Sequence, residues 1–171
     1  DGSACVQMFF IREGKLIGQE QFFLDGTENE PLEEQVKDFI AQYYNDAPYV
    51  PKEILLPLGL DEMNILESFL RRKRGSKVSL FAPERGDKKR LVEMAATNAG
   101  YALKEQMARL EVRLSRAEQS LRALQDALQL PSPPARIECY DISNTMGRYS
   151  VGAMVVFEDG EPKKSDYRRF R

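Results

Sequence analysis

The chain has 171 residues, 42% of them hydrophobic and 30% charged, with a formal charge of −2, two cysteines and no histidine. That size suits one ordinary domain or two small ones, and runs such as Val78 to Ala82 and Val151 to Phe157 fall far short of the roughly 20 apolar residues that cross a bilayer. Without histidine, and with Cys5 and Cys139 far apart in sequence, neither a Cys/His zinc site nor a Ser-His or Cys-His triad can be assembled, so carboxylates, hydroxyls and lysines are left for any chemistry.

The chain opens without a charged-then-apolar leader, and a soluble, cytoplasmic protein is expected. From Ala4 to Phe23 two strand-like runs flank Glu13-Gly14, a pair suited to a tight hairpin turn because glycine tolerates positive φ. From Pro31 to Tyr44 the apolar positions Leu32, Val36, Phe39, Ile40, Tyr43 and Tyr44 step by three and four, the stripe of an amphipathic helix with Pro31 fit for its first turn. Glu53-Ile-Leu-Leu reads as a short strand. Asp61 is placed to cap a second helix carrying Met63, Leu66, Phe69 and Leu70, with Gly75 closing it after a basic last turn. Lys77 to Ala82 reads as another strand. This order predicts an α/β layer with helices covering a mixed sheet.

From about Lys88 to Leu130 there is no proline and one glycine, which predicts a single long helix. Within it Leu103, Met107, Leu110, Leu114, Ala117, Leu121, Leu124 and Leu128 alternate steps of four and three, a heptad seam roughly 39 Å long at about 1.5 Å per residue. Such a seam serves a partner or dimer, or packs along its own protein and bridges two domains. Pro131-Ser-Pro-Pro stops the helix.

A second unit then begins. Arg136 to Asn144 is a strand, Asn144 to Gly147 a loop, Val151 to Phe157 a strand, Asp159-Gly160 a turn and Lys163 to Phe170 a third strand, a meander with no helix of its own. Met8-Phe-Phe-Ile-Arg-Glu-Gly and Met154-Val-Val-Phe-Glu-Asp-Gly match at an offset of 146, so either the two hairpins descend from a duplication or two hairpins of one register look alike. Charge divides along the chain as well. Residues 1 to 60 hold 4 Lys/Arg against 11 Asp/Glu, and residues 61 to 171 hold 21 against 16, so a polyanion is expected to meet the later part. Lys163, Lys164, Arg168, Arg169 and Arg171 crowd there as candidate phosphate contacts, or as a solubilising face.

Asp141 lies inside a predicted strand, where charge is depleted, and parity puts it on one face with Cys139 and Ser143. A carboxylate so placed is either a sheet-end residue bound to a loop or a metal ligand.

Arg136-Ile-Glu-Cys-Tyr-Asp-Ile-Ser-Asn-Thr-Met-Gly, followed by Ala153-Met-Val-Val-Phe-Glu-Asp-Gly and Ser165-Asp-Tyr-Arg-Arg-Phe, resembles the opening of the C-terminal endonuclease domain of the UvrC family, the nuclease subunits of the bacterial UvrABC excinuclease. Phe9-Phe-Ile-Arg-Glu-Gly, Phe39-Ile-Ala-Gln-Tyr-Tyr, Pro51-Lys-Glu-Ile-Leu and Pro83-Glu-Arg-Gly-Asp-Lys-Lys-Arg resemble the stretch preceding that domain, so the likeness covers essentially the whole chain. The resemblance implies an α/β, RNase H-like fold in two units joined by a long helix: residues 1–82 an RNase H-like unit without catalytic acids, 83–135 the connecting helix and its proline stop, and 136–171 the first strands of the endonuclease domain, truncated. It further implies incision of damaged DNA 5′ to the lesion, with Asp141 as catalytic metal ligand and Mg2+ or Mn2+ as cofactor. A second acid and a histidine of the site would fall beyond Arg171, and UvrB would bind through a region outside this chain, with no membrane partner. A non-catalytic interaction module, built on the heptad helix, is the alternative from another class.

Overall fold

A computed structural model describes residues 2–145 and 148–170. They divide into two compact units, the first ending at Gln106 and the second beginning at Met107.

In the first unit, β1 (Ala4–Arg12) and β2 (Lys15–Leu24) form an antiparallel hairpin. Its turn residues Glu13 and Gly14 both have positive φ, 51° and 73°, the handedness a two-residue hairpin connection requires. Helix α1 (Leu32–Asp46) starts one residue later than its proline suggested: Pro31 is the cap residue, with ψ at 142° and its carbonyl accepting the Gln35 N–H at 3.1 Å. Its apolar stripe packs under the hairpin, where the Phe22 ring lies 5.2 Å from Phe39 and 5.6 Å from Tyr43.

β3 (Glu53–Leu55) and β4 (Ser79–Phe81) form a parallel pair, a pairing that needs a crossover, and α2 (Met63–Arg74) supplies it. The expected Asp61 cap is corrected here. The cap residue is Glu62, in left-handed conformation with φ 57° and no side-chain cap bond, and the Asp61 N–H donates to the Glu33 carboxylate one residue before it. Gly75 does close the helix, its N–H donating to the Arg71 carbonyl at 2.9 Å. The core sits between these helices and the parallel pair: Ile40, Tyr44, Leu56, Leu70, Val78 and Leu80 are buried, Leu70 completely. Burial pushes the Tyr44 phenol well above its ordinary range.

Helix α3 (Gly86–Leu128) runs 43 residues without one buried side chain. Along the heptad seam Met107, Leu110 and Leu114 are exposed, whereas Ala117, Leu121 and Leu124 are half-buried. The seam is thus partly covered by its own chain, and the covering is visible at Gly160, where an added Cβ would lie 2.9 Å from the Ala117 methyl.

In the second unit β5 (Arg136–Thr145) and β6 (Arg148–Glu158) pair antiparallel. The expected loop after Asn144 is therefore shorter, and Met146 and Gly147 lie outside the described residues, as does Arg171. The predicted third strand is broken. Only β8 (Arg168–Phe170) remains of it, after a 3-10 turn at Lys164–Asp166, and a short β7 (Glu161–Pro162) precedes that turn; both strands pair with β6. The two hairpins belong to separate sheets. Val156 is fully buried, while Tyr140, Ile142 and Phe170 are exposed on one sheet face.

Candidate active site

β5 places Asp141 by strand alternation, with Cys139 and Ser143 beside it on the same face. The Ser143 hydroxyl donates to Asp141 Oδ2 at 3.0 Å, which fixes one carboxylate oxygen and leaves the other open. Both Asp141 and Cys139 are exposed, and Cys139 is a free thiol. No ion pair restrains Asp141 among the described residues.

Register extends this face across the sheet. Asp141 stands opposite Ala153 on β6, and Ala153 stands opposite Arg169 on β8. Residues directly opposite in antiparallel strands point to the same side, so a carboxylate and a guanidinium flank one methyl group on a single row. Arg169 is exposed and has no acid partner among the described residues. Two cross-strand steps of about 4.5–5.5 Å separate the backbones, a gap that a long arginine side chain spans over alanine.

The other sheet face is electrostatically closed. Arg136 holds Glu138 and Asp166 at 2.8 Å each, with Glu158 at 3.8 Å, and Lys163 donates to Glu158. The Arg136 guanidinium keeps the Asp166 carboxyl below its ordinary range, and the Tyr140 hydroxyl, then Arg136, does the same for Glu138. These carboxylates complete a structural network around the β6–β7 corner.

Of the four candidate phosphate contacts among the described residues, the structure brings only Arg169 onto the Asp141 row. Lys163 is occupied by Glu158, Lys164 sits in the 3-10 turn, and Arg168 lies on the opposite face, on the row of Met154 and Tyr140, donating to the Ser165 and Tyr167 carbonyls at 2.8 Å. The Asp141–Ala153–Arg169 row and the Arg136 network escaped the sequence reading. Parity within β5 was readable, but pairing with β8 depends on a 3-10 interruption that no spacing signals.

A divalent ion needs several oxygen ligands. Among the described residues no three Cys, Asp or Glu side chains gather where one ion could sit, so Asp141 stands without a set of ligands around it.

Comparison with known proteins covers both units. The family model for the UvrC ribonuclease H-like domain matches residues 1–106, and that for the UvrC RNase H endonuclease domain matches residues 125–171. The chain is 47% identical over 168 residues to the UvrABC system protein C of Acetivibrio thermocellus, and equally to that of Symbiobacterium thermophilum, covering 98% of this chain and 27% of each relative. Against the protein of Alkaliphilus oremlandii it is 43% identical over 171 residues, all of this chain and 28% of the relative. The chain thus spans about a quarter of the length of the curated relatives it matches.

Proposed function

Because the chain belongs to the UvrC family, we propose that it is the segment of a nucleotide excision repair endonuclease in which the site for the cut 5′ to a lesion begins. The observation that carries this reading is Asp141: a solvent-facing strand carboxylate, oriented by Ser143 and sharing its row with an unpaired arginine, in the part of the chain that matches the endonuclease model. The interaction-module alternative draws no support from the matched proteins.

Residues 1–82 serve as an RNase H-like unit without catalytic acids, 83–135 as connecting helix and proline stop, and 136–171 as the first strands of the endonuclease domain. In the longer protein Asp141 would be one of the residues that hold Mg2+ or Mn2+. Bound divalent metal supplies an activated water and stabilises the leaving oxygen of a phosphodiester. Ser143 holds the carboxylate orientation. Arg169 offers its guanidinium to a phosphate oxygen on the same face, where the planar fork matches phosphate geometry. Lys164 reaches the DNA backbone further out, while Lys163, paired with Glu158, and Arg168, on the opposite face, serve the sheet itself. The partners are damaged DNA and, through a region outside this chain, UvrB, in the cytoplasm. Among the described residues no helix is long and apolar enough to cross a membrane.

One carboxylate cannot hold a catalytic ion, so the 171 residues alone do not cut DNA. The test is Asp141→Asn in the full-length protein, which keeps size and removes charge. Incision 5′ to a lesion should vanish while folding persists, and normal 5′ cutting by this variant would sink the assignment.

A further inference from the structure

The first unit is acidic as far as residue 60, with 4 Lys/Arg against 11 Asp/Glu, and then concentrates positive charge at one edge. Lys52 immediately precedes β3, Arg71, Arg72, Lys73 and Arg74 form the last turn of α2, and Lys77 lies two residues before β4. Parallel pairing in register, Glu53 opposite Ser79, makes both strands start at the same edge of the sheet, and the Ser79 N–H donates to the Lys52 carbonyl at 3.0 Å. The end of α2 is drawn to that edge, because Arg74 Nη1 donates to the Lys77 carbonyl at 2.7 Å and the Lys73 ammonium donates to the Asn45 carbonyl. Bonds to carbonyls orient these two cations without neutralising them.

Nearby acids do little to offset them. The only acid of α2, Glu67, faces inward to accept the Leu80 N–H at 2.8 Å, and Glu53 is held by Lys88 at 2.7 Å. Asp46, at the end of α1, is the remaining carboxylate beside Asn45. Lys52, Arg71, Arg72 and Lys77 are exposed and have no acid partner among the described residues. A helix C-terminus favours cations through its dipole, but that field fades within one turn and accounts for neither Lys52 nor Lys77.

We propose that this edge, formed by Lys52, Arg71, Arg72, Lys73, Arg74 and Lys77, is a DNA-backbone binding surface on the N-terminal unit, separate from the Asp141 face. Arginine forks and lysine point charges at one edge suit successive phosphates and read no sequence. This surface concerns binding alone, so an unaffected Asp141→Asn protein in the incision assay would leave it standing.

The test uses the 171-residue chain with a fluorescein-labelled duplex, followed by anisotropy across salt concentrations in EDTA, so that no metal or cleavage enters. Arg71→Gln with Arg72→Gln and Lys77→Gln should weaken binding by about tenfold or more and flatten the log affinity against log salt slope by about 3, near 0.9 per lost phosphate contact. An unchanged melting temperature would show that the three changes act at the surface. The companion variant, Lys163→Gln with Lys164→Gln and Arg169→Gln, separates this edge from the other unit: a slope lost wholly with those three, and untouched by the α2 variant, overturns the proposal. Equal competition by poly-glutamate at matched charge also overturns it, in favour of an acidic protein partner.

Discussion

The hairpins of the two units turn on equivalent residues in the same backbone conformation. Glu13-Gly14 and Asp159-Gly160 all have positive φ, at 51°, 73°, 50° and 82°, and in each unit the preceding strand is built of large apolar residues. What differs is the use of acids. In the first hairpin Glu20 accepts the Tyr43 hydroxyl at 3.4 Å, so its carboxylate joins the seam between β2 and α1. In the second sheet Asp141 accepts only a neighbouring serine and faces solvent in line with Arg169. A sheet built on such a hairpin frame carries a structural carboxylate on β2 in one unit and an available one on β5, the strand beside the β6–β7 hairpin, in the other. The frame therefore says little about chemistry, and the partner of each acid says much.

The sharpest way to break this contrast is to neutralise both acids in the full-length protein. Asp141→Asn should reduce 5′ incision by about a hundredfold or more, as loss of metal-site residues does, whereas Glu20→Gln should leave the rate within about twofold. Comparable losses from both would erase the distinction. A stability test comes next. Leu70, completely buried, anchors the core of the first unit, so Leu70→Ala should cost about 2–5 kcal/mol there, read by hydrogen exchange of α1 and β4 with β5 and β6 largely unaffected.

The two turns offer a finer comparison. At Gly14 an added Cβ meets nothing within 4 Å, so Gly14→Ala should cost only the left-handed strain, about 1–2 kcal/mol. At Gly160 the same methyl would press on Ala117, and Gly160→Ala should cost about 2–4 kcal/mol in urea unfolding. Equal costs would mean that the β6–β7 turn does not rest on α3. The smallest effect concerns acid. Asp166 and Glu138 titrate below their ordinary range when folded, so their stabilising contribution is present above that range and fades as pH falls through the lowered values. Arg136→Gln should raise both titrations in a carboxyl NMR experiment, Asp166 more than Glu138, since Tyr140 still donates to Glu138 at 2.6 Å.

Local features were legible in the sequence. Glu13-Gly14 announced its turn, the spacing from Leu32 to Tyr44 announced α1, and the proline-free stretch announced α3, because each depends on neighbours within a turn or two of chain. Features set at long range were not. The chain enters α2 through Glu62 in left-handed conformation rather than through Asp61, whose N–H is tied to Glu33 on another helix, a long-range contact that no local spacing signals. The strand after Gly160 broke at Lys164–Asp166, and that break decides which of Arg168 and Arg169 shares a face with Asp141. For the site itself, the aspartate and its side of β5 could be read from alternation, whereas its arginine neighbour needed the register of a third strand.

Cys139 lies two positions from Asp141 on the same side of β5, exposed and unoxidised, at a strand separation of about 7 Å. The other thiol, Cys5, is partly buried, and burial pushes its pKa up. The two therefore differ in reactivity by position alone, so a maleimide probe would mark Cys139 first. The molecule thus carries a native attachment point for a spin label or fluorophore beside the carboxylate, from which the approach of a paramagnetic ion or a DNA strand can be read as a distance.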